Sequence, residues 1–515
     1  MTVIRVMYWR TLTHICLTIS LVICGCISGQ SYTLQFTDQS AVDPIRWPAS
    51  IVYVSLSTSL NDPPANIKKG SDVLGAVRKA LKRWSNAARV DFVELSSPTQ
   101  AISSIAGGGD GINLISVAST RENATLFRGQ NAVQPARTRI FFDASGNITE
   151  ADIVLNPTQK FSTDGTFNTY DLESTFTHEI GHMLGLDHSA VIGSTMQPRQ
   201  AWNGTFYAPQ FSGRVLSSDD ILGIQALYGA RNSQTKSGSI SGSLTYPGGT
   251  PAAGVNVWVE DAADGRVVES VLTRESGAYR LGSLGPGAYN LYFSSLDGQL
   301  GHPDVDSSKG AIQTSNLKTA AIRTKEVGRI EVAEGSARTV NAEVAIEPFD
   351  FRLSILGINN QASSVAVSLV AGNTYTIFAG GQGVVAEELL SEKITVSSPF
   401  IHVDRTTISQ ETFGKGIDVV SFQVSVDPNT PPGTYSLWIG LRNGALGCLV
   451  GALVISEGSS DAVADEILPQ TGLPIAEDPF RLLLLHLGNS SDGETDSSNS
   501  EIGAFDQLLN VRTFS

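Results

Sequence analysis

Residues 178–188 read His-Glu-Ile-Gly-His-Met-Leu-Gly-Leu-Asp-His and hold three of the seven histidines of the chain. On a helix, His178 and His182 lie one turn apart and face the same side. Gly185 accepts a positive φ without steric cost, so the chain can turn there and bring His188 back to the other two. Three imidazoles with one open position are typical of a catalytic zinc site. The stretch therefore predicts a helix, a sharp turn and one Zn²⁺ ion.

Glu179 follows the first of these histidines directly. At this position a carboxylate reaches a water molecule on the metal without binding the metal itself, as a general base must. The alternative interpretation is three surface or capping histidines on an ordinary helix. Because His, Glu, His, Gly and His all fit at once in a chain poor in histidine, the pattern favours the metal site.

The spacing His-Glu-x-x-His-x-x-Gly-x-x-His resembles that of the metzincin metalloproteases, in which a methionine turn follows. Met196 resembles that Met-turn residue, and Ser189 after the third histidine is similar to the matrixin branch. Residues 216–229 resemble the C-terminal helix of matrixins, and residues 46–48 and 150–154 fit the same family. The resemblance covers about residues 45–230.

This resemblance implies a zinc endopeptidase acting on protein or peptide substrates. His178, His182 and His188 would bind the zinc, and Met196 would pack beneath the metal. Glu179 would be the catalytic base, which takes a proton from the attacking water and passes it to the leaving nitrogen.

The sequence departs from animal matrixins in its means of control and in its metal sites. We find no Pro-Arg-Cys-Gly-like segment before Arg46 and expect no latency propeptide, so activity must be controlled in another way. No histidine lies between residues 15 and 177, which excludes a second, histidine-built zinc site. Ca²⁺ is compatible with the oxygen donors and turns of residues 107–111 and 164–165, although plain turns are the alternative.

The specificity pocket is the second place where the sequence departs from the family. Pro198 resembles the proline in the wall of that pocket. Gln200 stands where animal relatives carry a tyrosine two residues beyond this proline, which leaves the depth of the pocket open.

Length and composition limit the class of protein. At about 150 residues per domain, 515 residues predict about three domains. The formal net charge is -15, which argues against a nucleic-acid partner because phosphate binding requires a basic face. The 50 glycines favour turn-rich β structure in much of the chain.

We predict a multidomain fold, in which an α/β (α+β) metzincin zinc-protease domain precedes two all-β sandwich domains and a disordered tail. After residue 230 the sequence changes to short alternating strands with Gly and Pro turns. Residues 238–295 resemble the carboxypeptidase-regulatory-like β-sandwich, and the block after them is Ig-like only in general pattern. The predicted units are the protease domain at 31–230, the carboxypeptidase-regulatory-like sandwich at 236–345, the Ig-like sandwich at 346–457 and the tail at 458–515. We expect the sandwiches to act as spacers or to bind a surface ligand.

Residues 1–28 have the pattern of a signal peptide, with two early arginines and a short apolar run at 15–23. Two interpretations stay open. The segment around Cys26 resembles a lipoprotein box, in which Cys26 would be lipidated and anchored to a membrane. Ordinary cleavage near Ser28 would instead release a secreted protein. Both place the chain outside the cell or in the cell envelope.

The rival hypothesis is a cell-surface adhesion or binding protein with a vestigial protease domain. The large β-rich second half of the chain motivates it. Glu179 argues against it, because a dead site has no need of a base beside three intact ligands.

Overall fold

The computed structural model describes residues 34–37, 43–231, 236–296, 321–347, 351–413, 418–456 and 511–514. The predicted signal peptide and Cys26 lie outside these residues. Within the described ranges, no helix is both long enough and apolar enough to cross a membrane.

The first domain is built on a twisted sheet with strand order β2-β1-β3-β5-β4. Its strands are β1 (Ile51–Ser57), β2 (Asp91–Ser97), β3 (Leu114–Ser116), β4 (Ala136–Phe142) and β5 (Ile148–Leu155). Strand β1 pairs in parallel with β2 and β3, and β3 with β5, whereas β4 runs antiparallel to β5. A short pair, β6 (Phe161–Ser162) and β7 (Tyr170–Asp171), follows. The antiparallel strand β4 therefore borders this part of the sheet.

Four α-helices accompany the sheet: α1 (Val73–Ala87), α2 (Arg121–Thr125), α3 (Leu172–Met183) and α4 (Ser218–Tyr228). Helix α1 is amphipathic, and Val77, Leu81 and Trp84 on its apolar face are buried. Helix α3 is buried along its whole length, and Asp171 caps it by accepting a hydrogen bond from the Ser174 amide at 2.8 Å. The helix that carries the first two histidines is therefore held on all sides.

The second domain contains two sheets around one core. Its strands are β8 (Gly238–Thr245), β9 (Asn256–Asp261), β10 (Val267–Leu272), β11 (Ala278–Leu284), β12 (Gly287–Ser294), β13 (Ala321–Ile322), β14 (Lys325–Val332), β15 (Ala337–Thr339) and β16 (Ala342–Glu343). One sheet has the order β10-β9-β12-β14, and the other has the order β11-β8-β15, with β16 also on β8. Side chains from both sheets, such as Ile240 and Val257, meet in one buried cluster.

The third domain is also β-rich. Its strands are β17 (Ile346–Glu347), β18 (Arg352–Ile358), β19 (Gln361–Ser363), β20 (Val367–Leu369), β21 (Thr374–Gln382), β22 (Thr395–Val396), β23 (Ile401–Thr412), β24 (Asp418–Val426), β25 (Gly433–Gly440) and β26 (Leu446–Ile455). The orders β19-β18-β21-β24-β23 and β20-β26-β25-β22 form two sheets, while β17 pairs with β13. Two layers of strands with a shared core agree with the predicted sandwich content.

The loop after the third histidine joins the three domains. Ile192 belongs to the apolar core of the third domain, and its amide donates to the Val450 carbonyl at 2.9 Å. Val191 packs with Trp258 of the second domain and Trp438 of the third. The rings of these two tryptophans stack with their centroids 5.8 Å apart. The predicted protease domain therefore packs against both of the domains that follow it.

The structure differs from the predicted tail at residues 511–514. These residues form β27 (Val511–Phe514), which adds to the first sheet beside β4. Val-Arg-Thr-Phe is rich in residues that favour strands, and the average composition of the tail concealed this short run. Residues 457–510 lie outside the described part of the chain.

Candidate active site

Three imidazoles converge at the end of helix α3. The Nε2 atom of His182 lies 3.1 Å from that of His178 and 3.2 Å from that of His188. The predicted turn is at Gly185, which has a φ of 99°. A Cβ atom there would overlap the Ile45 carbonyl oxygen, so a side chain at this position would push the turn open. The structure thus brings together all three predicted ligands.

The far nitrogen of two of these rings is fixed by a carbonyl group. His178 Nδ1 lies 2.8 Å from the Thr195 oxygen, and His182 Nδ1 lies 2.9 Å from the Leu186 oxygen. A carbonyl only accepts hydrogen bonds, so the ring proton belongs on Nδ1 and a lone pair remains on Nε2.

The spacing of the three rings fits a zinc ion. Two nitrogens bound to a tetrahedral zinc at about 2.05 Å lie about 3.3 Å from each other, close to the spacing of the Nε2 atoms. Lone pairs that face each other in a buried place repel unless a cation lies between them. Among the described residues, these three histidines form the one cluster of ligand side chains that could hold a metal ion.

Glu179 lies beside this cluster with its side chain fully buried. The Thr138 hydroxyl donates to Glu179 Oε2 at 2.5 Å, whereas Oε1 has no hydrogen-bond partner among the described residues. Burial raises the pKa of Glu179 to about 8, against the opposing effects of Thr138 and Arg137. A dication at the nearby histidines would lower this pKa and favour the carboxylate. Sequence analysis missed Thr138, because nothing in its neighbourhood marks a strand residue as the partner of a distant helix.

Met196 lies beneath the helix, as the Met-turn resemblance predicts. It is fully buried, and a Cβ atom at Gly181 would overlap its sulfur and the Trp84 ring. Gly181 therefore lets the methionine approach the helix backbone between the two ligand histidines. This close approach explains a glycine in the middle of a buried helix, where it otherwise lowers stability.

Asp220 connects helix α4 to the methionine turn. Its Oδ2 atom accepts from the amides of Ser217 and Thr195 at 2.8 and 2.9 Å. Its Oδ1 atom accepts from the Ser194 hydroxyl at 2.5 Å and from the Met196 amide at 3.1 Å. Ser217 and Asp220 also form a capping box at the start of helix α4. The bonds to the methionine turn were not predicted, and they fix the Thr195 carbonyl that orients His178.

Asp219 links the same helix to the second domain. The Ser189 hydroxyl donates to its Oδ2 atom at 2.5 Å, and the Ser270 amide of β10 donates to Oδ1 at 2.7 Å. Burial raises the pKa of this carboxyl well above its usual range. The second domain therefore contacts Asp219 directly, and Asp219 in turn binds Ser189, the residue after His188.

The first and third domains share the wall of a pocket near the position predicted for the specificity pocket. A pocket beside the methionine turn is lined by Thr195, Arg199, Gln200 and, from the third domain, Val365 and Ala366. Gln200, which replaces the tyrosine of animal relatives, accepts a hydrogen bond from the Thr175 hydroxyl at 2.9 Å.

The oxygen donors of the two loops considered for Ca²⁺ have partners within the protein. Asp164 forms an ion pair with Lys68, and the hydrogen bonds to Lys68 and Thr166 lower the pKa of this carboxyl to about 2. In the glycine-rich loop, the amide of Asp110 donates to Glu150 at 2.6 Å. The compatibility of these two loops with Ca²⁺ stays a prediction.

The segment at residues 46–48 meets the end of helix α3, as the resemblance implies. Trp47 Nε1 donates to the Met183 carbonyl at 2.9 Å, and the Trp47 amide donates to the Tyr228 hydroxyl at 3.1 Å. The same hydroxyl donates to the Leu184 carbonyl at 2.7 Å. These bonds satisfy carbonyls that the end of the helix leaves unpaired.

Known families match two parts of the chain. Residues 54–229 match the family described as Matrixin. The chain carries a matrixin domain. Residues 239–345 match the Carboxypeptidase regulatory-like domain, so both resemblances that the sequence predicted are confirmed. The matrixin domain contains the whole histidine cluster and its neighbouring glutamate.

The curated relatives agree with this assignment. The chain is 33% identical to matrix metalloproteinase-19 of Homo sapiens over 163 residues, which make up 30% of this chain and 26% of that protein. It is 29% identical to matrilysin of Mus musculus over 187 residues, 36% of this chain and 61% of the relative. The chain thus spans less than two thirds of either relative.

Among solved structures, the chain is similar to BcpA, the major pilin subunit of Bacillus cereus. The sequence identity is 14% and the TM-score is 0.17, over 41% of this chain and 67% of that chain. A score this low carries no argument about function.

Proposed function

We propose that the chain is an exported, zinc-dependent endopeptidase that hydrolyses peptide bonds with Glu179 as the general base. The observation that carries the proposal is the convergence of three buried Nε2 atoms beside a glutamate oxygen that has no hydrogen-bond partner among the described residues. His178, His182 and His188 would hold the ion. When bound, zinc acts as a Lewis acid toward a peptide carbonyl and lowers the pKa of a water molecule to about 7.

Residues of the chain transfer the proton and orient the histidines. The Thr138 hydroxyl holds one oxygen of Glu179, so the other oxygen can accept a proton from the attacking water. Glu179 then passes this proton to the leaving nitrogen. The carbonyls of Thr195 and Leu186 keep two histidines in the tautomer that binds metal.

The proposal extends to the compartment and to the other domains. We place the chain outside the cell or in the cell envelope, through the signal peptide or a lipid on Cys26. The protease unit would occupy residues 31–230, and sandwiches at 236–345 and 346–457 would hold it and bind a surface ligand. Val365 and Ala366 in the pocket wall support a direct part for the third domain in binding the peptide substrate.

The test is cleavage of a mixed peptide library by the zinc-loaded full chain. We expect cleavage that stops with a zinc chelator, returns with added zinc, and falls by a factor of about 10² to 10⁴ in Glu179→Gln. Glu122→Gln, at an exposed glutamate in helix α2, is the matched control and should cleave normally. If the zinc-loaded chain cut no peptide, the proposal would be overturned, and the adhesion hypothesis would take its place.

A further inference from the structure

The outer edge of β4 is covered by another part of the same chain. Strand β27 runs antiparallel to β4, with Val511 opposite Phe141 and Phe514 opposite Thr138. The other edge of β4 pairs with β5. Four consecutive residues of β27 keep this register without a bulge, so the contact has the form of a regular strand addition.

This edge lies next to the proposed general base. The Thr138 hydroxyl, which donates to Glu179, comes from the β4 residue that faces Phe514. Neighbouring strands lie about 4.8 Å apart, so the backbone of β27 is one strand spacing from the residue that touches the catalytic glutamate. An extended peptide that paired with this edge would need the position that β27 occupies.

We propose that β27 is an autoinhibitory segment, in which residues 511–514 occupy the outer edge of β4 beside Glu179 and keep a peptide substrate away from that edge of the same molecule. The inference rests on the proposed function, since a blocked cleft matters only where a peptide is cut. It would also supply a means of control within the fold of the chain.

Physical chemistry favours this occupant. An uncovered strand edge presents unpaired amides and carbonyls, which natural sheets avoid exposing. Residues 457–510 join β27 covalently to the third domain, so its docking on β4 is an intramolecular event that dilution of the protein does not weaken. Such an occupant competes with substrate, which raises the apparent KM and leaves kcat unchanged.

The experiment compares four forms of the full chain. One is unaltered, one lacks residues 511–515, and one carries Arg512→Pro with Thr513→Pro. Proline removes backbone donors, and because the two positions are adjacent, one of the lost amides faces β4. The matched control carries Arg512→Ala with Thr513→Ala, which keeps both amides. Peptide cleavage gives KM and kcat, and hydrogen exchange of the β4 amides at 136–142 reports docking without any need for activity.

We expect KM to fall about three- to tenfold in the deletion and in the proline form, with kcat unchanged and the alanine form like the unaltered chain. Exchange at the outward β4 amides should rise in the same two forms, and an added Val-Arg-Thr-Phe peptide should inhibit the deleted form competitively. Unchanged KM and unchanged exchange on deletion would overturn the inference. Faster exchange in a chain that cuts no peptide would overturn the proposed function and keep the docking of β27.

Discussion

Replacing Asp220 with asparagine tests how the metal site is held in place. The carboxylate accepts from the Thr195 and Ser217 amides on one oxygen and from the Ser194 hydroxyl and Met196 amide on the other. Asparagine keeps one acceptor oxygen and turns an NH₂ group toward donors that it cannot bond. Hydrogen bonds to a charged group contribute about 1.5–3 kcal/mol each, so the loss of two of them should lower the free energy of unfolding by about 3–6 kcal/mol.

The same change should weaken zinc binding. Thr195 is held by Asp220 through its amide, and its carbonyl accepts from His178 Nδ1. Once the methionine turn shifts, the His178 ring loses the partner that fixes its tautomer and orientation. Loss of such a supporting contact weakens metal binding about 10- to 100-fold.

The two effects are measured separately. Urea denaturation gives the stability, and competition with a chromophoric chelator gives the zinc affinity of the folded protein. The matched control is Ser217→Ala, which removes the cap of helix α4, about 1 kcal/mol, but leaves the bonds from Asp220 to the methionine turn. If Asp220→Asn and Ser217→Ala bound zinc equally well, the proposed path from Asp220 to His178 would be refuted.

Three further changes probe the packing and the joints between domains. Gly181→Ala should cost about 1–3 kcal/mol because its Cβ overlaps the Met196 sulfur; thermal unfolding measures this, and a variant as stable as the parent would contradict it. Burial raises the pKa of Glu260 to about 7 from 4.5, so the native state holds a proton that the unfolded state releases, and stability falls as the pH rises through this range. Glu260→Gln should therefore raise the Tm at pH 8 but not near pH 4.5, and an equal shift at both pH values would speak against the buried carboxyl as the cause. Ser270→Pro removes the amide that binds Asp219 and should cost about 1–3 kcal/mol in urea unfolding, whereas Ser270→Ala keeps that amide; equal losses in both would show that the bond to Asp219 is of no consequence.

Local patterns in the sequence were enough to predict the parts of the site that lie on one helix or turn. The helix predicted at His178 and His182 forms at Leu172–Met183, and residues 216–229, which resemble the C-terminal matrixin helix, contain the capped helix Ser218–Tyr228. Both depend on spacings of three or four residues, which the geometry of a helix fixes. The return of His188 after Gly185 is equally local, because one positive φ redirects the chain.

The contacts that the sequence did not predict join residues far apart in the chain. Thr138 binds Glu179 across 41 positions, and Asp219 binds Ser270 across 51. No periodicity marks such pairs, since each depends on how separate elements pack. Strand β27 is a similar case, because its place is set by a partner edge and not by the composition around it.

The loop that carries Val191 and Ile192 links the folding of the first domain to that of the other two. Ile192 lies within the core of the third domain, and Val191 packs with tryptophans of the second and third domains. An excised copy of residues 31–230 would leave both side chains in water, next to the turn that supports the metal site. Recombination that exchanged the downstream domains would disturb the hydrolytic centre itself. Evolution of this chain is therefore constrained to change the three domains together.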